Sequence, residues 1–122
     1  MEDGVIPLAD QMHTPTFMEI GAKKTDGVGA FFSDLFGWKF ETMGDGGEGW
    51  FETPTMKVGV HGNDPDPGIV PYFKVADIEQ AVAKVRELGG SADDNVADEE
   101  GFGKFCNCIG PNGIRFGLHQ AG

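Results

Sequence analysis

The sequence is poor in positive charge. Lys and Arg number 9 against 20 Asp and Glu, for a formal net charge of -11. A field of that sign repels phosphate backbones and anionic lipid headgroups, so no nucleic-acid partner and no membrane surface is expected. Long apolar runs are missing too: none approaches the roughly 20 residues that span a bilayer. Glu2 and Asp3 stand where a signal peptide would carry Lys or Arg, and the expectation is a cytoplasmic protein. Cysteine is scarce. Cys106 and Cys108 are separated by one residue in a strand-like stretch, a spacing that suits a disulfide poorly, so both are expected as reduced thiols on one strand face. No second Cys or His cluster lies close enough in sequence to complete a soft-metal site with them.

What remains is a chain of 122 residues, 39% of them hydrophobic, enough for one core and one domain. Residues 1–15 have no sustained period and contain Pro7 and Pro15, so they read as a loose arm ahead of a single domain over 16–122. Phe17-Met18-Glu19-Ile20 is a strand candidate. Val28, Phe31, Phe32, Leu35 and Phe36 then recur at the spacing of an amphipathic helix, with Thr25 and Asp26 to cap its start and Gly37 its end. Strands follow over 38–42, 48–53 and 56–61, separated by turn-forming stretches. The order is β-α-β-β-β.

After a polar linker over 63–68 the same order returns. A strand over 70–75 leads into a helix opened by Asp77 and Gln80, with Ile78, Ala81, Val82, Val85 and Leu88 on its inner face and Gly89-Gly90 at its end. A weak strand over 92–96, an acidic loop through Glu99 and Glu100, a strand over 105–109, the Gly110-Pro111-Asn112-Gly113 turn and a strand over 114–119 complete the copy. Met56-Lys57-Val58-Gly59-Val60-His61 and Ile114-Arg115-Phe116-Gly117-Leu118-His119 share one pattern. Apolar alternation is common, but alternation supplies neither the matched glycine nor the matched histidine, so the pair marks an internal repeat. Module one runs over about 16–62 and module two over about 69–120.

Phe31-Phe32-Ser33-Asp34-Leu35-Phe36-Gly37-Trp38, Tyr72-Phe73-Lys74-Val75-Ala76-Asp77-Ile78 with Leu88-Gly89-Gly90, and Gly101-Phe102-Gly103-Lys104-Phe105 with Gly110-Pro111-Asn112-Gly113 together resemble the motifs of one family. It is the glyoxalase/bleomycin-resistance/dioxygenase superfamily, also called vicinal oxygen chelate proteins. Gly110 stands where the family usually has aspartate. The resemblance implies an α+β fold of two βαβββ modules whose curved sheets surround a central cleft, with the helices outside. It also implies a homodimer.

Strand alternation assigns the faces. Met18, Ile20, Met56, Val58, Val60, Phe73, Val75, Ile114, Phe116 and Leu118 are expected under the helices. Phe17, Glu19, Lys57, Gly59, His61, Val70, Tyr72, Lys74, Arg115, Gly117 and His119 are expected on the cleft side. In metal-dependent members of the family, His, Gln or Glu ligands stand at one such position in each of four strands. Here those positions carry Phe17, Gly59, Val70 and Gly117, none with a metal-binding side chain. The expectation is a protein that binds a small molecule without the usual metal site and without a cofactor. Phe17, Trp50 and Tyr72 would wall the ligand, and Glu19, Lys74, Arg115, His61 and His119 would be its polar contacts. The alternative is a divalent-metal lyase, epimerase or dioxygenase built on a displaced set, Glu19, His61 and His119 with Tyr72 in the same layer. Gly101-Phe102-Gly103 lacks the glycine fingerprint of a dinucleotide loop, and the 44–49 stretch lacks the Lys-Ser/Thr of a phosphate loop.

Overall fold

A computed structural model describes residues 12–44 and 46–122. Most of the expected arm therefore lies outside the described residues. At its described end, the His13 N–H donates to the Lys74 carbonyl at 2.7 Å, and the Lys74 N–H donates to the Thr14 carbonyl at 3.0 Å. The elements are β1 (Pro15–Gly21), α1 (Val28–Phe36), β2 (Lys39–Thr42), β3 (Gly49–Glu52), β4 (Lys57–His61), β5 (Gly68–Lys74), α2 (Ile78–Glu87), β6 (Ser91–Ala92), β7 (Ala97–Glu99), β8 (Gly103–Ile109) and β9 (Arg115–Ala121). The fold is α+β. The chain divides into two compact units, a first over Phe17–Val70 and a second over Pro71–Gly122 together with the segment ending at Thr16. Among the described residues no helix is long and apolar enough to cross a membrane.

In the first unit the strand order is β2-β3-β4-β1. The β2-β3 and β3-β4 pairs are antiparallel and β4-β1 is parallel. One face buries Ile20, Phe51, Val58 and Val60, with Met18, Val28, Phe32, Trp38 and Phe40 packed around them. This is the helix-covered face that alternation anticipates. The periodicity of α1 gives its direction correctly but not its depth. Val28 and Phe32 reach the core, whereas Phe31, Leu35 and Phe36 remain 61%, 58% and 54% exposed. Phe31 therefore does not belong to the buried face. The N-cap is Gly27 in a left-handed conformation with no side-chain cap, rather than Thr25 or Asp26; the Thr25 hydroxyl instead donates to the Gly46 carbonyl at 2.5 Å. Gly37 ends the helix as expected, at φ 75°.

The second unit repeats the plan, with order β5-β9-β8-β6 and β7 also paired to β8. Its β5-β9 pair is parallel and β9-β8 is antiparallel, matching β1-β4 and β4-β3. Val75, Ile78, Val82, Cys106, Cys108 and Leu118 form the core, with Ala81, Val85, Ala92, Val96 and Phe116 against it. Asp77 caps α2 by accepting from the Gln80 N–H at 3.1 Å. Three differences from the expected layout are seen, two at the ends of elements, where side chains meet water on one side, and one an added short strand. Leu88 is 73% exposed beyond the last turn of α2, and Ile114 is 62% exposed ahead of β9. The acidic stretch contains the short strand β7, paired through Ala97 to Phe105 and Glu99 to Gly103.

Candidate functional site

The register of the first unit places its polar residues in rows on the face turned away from α1. Glu41, Trp50, Gly59 and Glu19 are cross-strand neighbours, and Lys39, Glu52, Lys57 and Phe17 form the adjacent row. Trp50 donates its indole N–H to Glu52 at 2.7 Å, and the Lys57 ammonium lies 5.5 Å from the centre of the Trp50 ring. Gly59 makes the room for this arrangement. A Cβ at this position would lie 2.2 Å from Glu19 Oε1, so the missing side chain is what lets the Glu19 carboxylate settle over β4.

Glu19 then meets His61. His61 Nδ1 is 2.6 Å from Glu19 Oε2, and its Nε2 is 3.1 Å from Asp64 Oδ2. Asp64 is 8% exposed, in the stretch that reads from sequence as a polar linker. Backbone pairing carries it there: the Ala22 N–H donates to His61 O, the Asn63 N–H to Lys23 O and the Asp64 N–H to Ala22 O, each at 3.0 Å. Gly21 leaves the room, since a Cβ there would lie 2.1 Å from Asp64 Oδ2 and 2.9 Å from His61 Nε2. An ionised carboxylate only accepts, so both ring nitrogens must donate, and the arrangement is built for an imidazolium. Burial, the largest single influence, pulls the His61 pKa down, but hydrogen bonds and charge from Glu19 and Asp64 together outweigh it and raise the pKa above 6.5.

In the second unit the repeat is kept with different chemistry. Tyr72, the counterpart of Glu19, pairs with Gly117 as Glu19 pairs with Gly59. A Cβ on Gly117 would lie 2.1 Å from the Tyr72 ring. Both matched glycines thus make room for a side chain of the protein itself. The Tyr72 hydroxyl donates to the Asn107 side-chain oxygen. His119, paired in register with Lys74 and Phe105, is 8% exposed. Its Nε2 lies 2.8 Å from the Phe102 carbonyl and its ring stacks on Phe102 at 4.0 Å and 14°. A carbonyl only accepts, so Nε2 carries the proton and the lone pair is on Nδ1. That Nδ1 is buried without a hydrogen-bond partner among the described residues, a condition that typically costs about 1–3 kcal/mol.

Of the residues expected on the cleft side, the fold brings Glu19 into contact with His61 and places Tyr72 and His119 on one sheet face of the second unit. Val70 and Tyr72 are buried. Arg115 lies opposite Ile109, at the start of β9. Asp64 escaped sequence reading; its only signal was a single acid three residues after a strand-end histidine. An open depression of about 540 Å³ at the start of α1, lined by Thr25, Asp26, Gly27, Phe40 and neighbouring glycines, contains none of the expected site residues.

No protein-family model matches the chain, and no curated protein does. Solved structures do. A hypothetical protein from Bacillus halodurans C-125 superposes with a TM-score of 0.70 at 14% identity, over 92% of this chain and 96% of that one. Methylmalonyl-CoA epimerase from Mycobacterium tuberculosis gives 0.67 at 15%, over 98% and 94%. A glyoxalase/bleomycin resistance protein/dioxygenase superfamily member from Vibrio splendidus 12B01 gives 0.62 at 18%, over 85% and 96%. The chain has the fold of the glyoxalase/bleomycin resistance/dioxygenase superfamily. The metal that this superfamily implies finds no donors at Phe17, Gly59, Val70 and Gly117, and the space beside both glycines is filled by Glu19 and Tyr72. These residues do not fit a metal ion. Among the described residues no group of three or more His, Cys, Asp or Glu is arranged to hold one.

Proposed function

We propose that this glyoxalase-fold protein binds a small organic molecule without using the superfamily's metal site. The observation that carries the reading is the filled glycine positions: where a ligand-bearing strand would offer a metal donor, a Glu19 oxygen and the Tyr72 ring occupy the space. The net charge of -11 favours a neutral or cationic molecule over a polyanionic one such as a coenzyme A ester. Trp50 supplies aromatic surface, and Glu19 and His61 supply polar contacts, all on one sheet face of the first unit. The metal-enzyme alternative draws support from the 2.6 Å contact between Glu19 and His61. It is the weaker reading, because both His61 nitrogens point at carboxylates and a metal would have to displace one of them.

The test is elemental analysis of protein purified without chelator, followed by thermal-shift screens against Mn, Fe, Ni and Zn and against neutral and cationic amphiphiles. Stabilisation by organic molecules with no bound metal is the expected result. About one metal per chain with a clear rise in melting temperature would replace this reading with the enzyme. The same proposal includes a homodimer, because Phe31 and Leu35 leave apolar surface on α1 that self-association would cover. Sedimentation of only the 13.0 kDa species at micromolar concentration would remove that part.

A further inference from the structure

The sheet of the first unit ends on β2, and among the described residues no strand pairs with its outer edge. One bond fixes the direction of its backbone groups. The Met43 N–H donates to the Glu48 carbonyl at 2.7 Å, so Met43, Glu41 and Lys39 turn their N–H and C=O groups toward β3, and Phe40 and Thr42 turn theirs outward. Phe40 packs with the core under α1, and Lys39 and Glu41 stand on the opposite face, paired at 3.0 Å. The flank of α1 nearest this edge is marked by its contacts. Gly29 backs onto the Phe40 ring, and Phe36 lies 4.7 Å from Trp38 between ring centres.

We infer that β2 is a docking edge for a second copy of this chain, joined antiparallel with Phe40 on the two-fold axis. This rests on the homodimer named above and locates its interface. Charge selects the register among the four residues of β2. An axis at Lys39 or Glu41 sets like charges face to face, and one at Thr42 sets Glu41 against Met43. An axis at Phe40 lets that residue exchange both backbone bonds with its copy. Lys39 then stands opposite the partner's Glu41 at the non-bonded pairs, where side chains come closest. Lysine on an edge ordinarily deters pairing, but here each one meets an acid on the approaching strand.

The helices fit the same axis. Gly29 rests on β2 while Phe32 lies 5.9 Å from Phe51 on β3, so α1 runs over both strands. Strands about 4.8 Å apart put the two copies of α1 about 10 Å apart, a normal packing distance for helices. Their antiparallel course brings Phe36, 54% exposed, level with the start of the partner's α1. There lies the open depression of about 540 Å³ between Thr25, Gly27, Phe40 and Gly47. Each copy thus offers one aromatic knob and one hollow to receive it.

Sedimentation velocity of the full chain at micromolar concentration is the readout, with folding followed by melting temperature. Wild type is expected at twice 13.0 kDa. Lys39→Glu sets acid against acid at both symmetric contacts and is expected to weaken the dimer about tenfold or more. Adding Glu41→Lys restores opposite charges and is expected to recover it. Phe36→Ser, which removes the knob, is expected to weaken the dimer independently. A dimer that survives both Lys39→Glu and Phe36→Ser would overturn the β2 interface and leave the homodimer on another surface. So would one broken by Leu35→Glu, on the other flank of α1, yet intact in Lys39→Glu. Failure of the double variant to recover the dimer would overturn the register. If wild type sediments only as the 13.0 kDa species, interface and homodimer fail together.

Discussion

The Glu19 carboxylate occupies the volume that a side chain on Gly59 would need, with Oε1 2.2 Å from the position of the missing Cβ. The second unit has the same relationship between Tyr72 and Gly117. The two differ in what can give way. Glu19 meets Gly59 through the far end of a flexible chain, whereas the Tyr72 ring is 6% exposed and approaches Gly117 along its whole edge. Gly59→Ala is expected to cost about 1–2 kcal/mol, by pushing Glu19 off His61. Gly117→Ala is expected to cost more, about 2–3 kcal/mol, by forcing the ring against packed neighbours. Urea denaturation of both variants checks the order, and equal costs would count against this account.

The raised pKa of His61 makes stability depend on pH in a defined direction. A group whose folded pKa exceeds its unfolded value of 6.5 contributes fully below that value, and the contribution is lost as pH rises through the folded pKa. The melting-temperature advantage of wild type over His61→Gln should therefore be largest just below pH 6.5 and shrink as the pH rises. Gly59→Ala, which removes the Glu19 bond, should lower the His61 pKa measured by NMR. A gap independent of pH would show that His61 is not held as an imidazolium.

Phe31 and Phe32 are adjacent and differ in burial. The Phe32 ring contacts Trp38 and Phe51 at 6.2 and 5.9 Å between centroids, while Phe31 is 61% exposed and touches Phe32 edge-on at 5.0 Å. Phe32→Ala should cost about 3 kcal/mol and Phe31→Ala less than about 1 kcal/mol. Thermal unfolding of the two variants distinguishes them, and a reversed order would mean that α1 is rotated from its assigned face.

Both cysteines should resist alkylation in the folded protein. Burial is the main cause and pushes the Cys108 thiol up to about 12, with Cys106 adding to it; Cys106 is itself raised by burial and by Asp93. Both are free and buried under α2. Ellman's reagent is expected to find two thiols in denaturant and close to none without it, because the thiolate is the reacting species. Rapid reaction of either thiol in the native protein would contradict the burial.

Local pattern was enough to read the order of elements apart from β7, the internal repeat and the two faces of each sheet. Each of these depends on spacing along a few residues: period two places Val58 and Val60 under α1 and Gly59 and His61 opposite, and the matched Gly and His survive in both copies. Depth and long-range partners were not legible in this way. Periodicity points Phe31 toward the sheet but cannot say how closely a nine-residue helix settles on it. Asp64 read as linker until backbone bonds to Ala22 laid the chain after β4 beside the chain after β1 and buried its carboxylate. That contact, like the bond between Glu19 and His61 across 42 residues, depends on which strands become neighbours. So does the difference between a histidine held by two carboxylates and one left with an unmet lone pair, because strand neighbours are chosen by burial of the whole sheet rather than by any short stretch of chain.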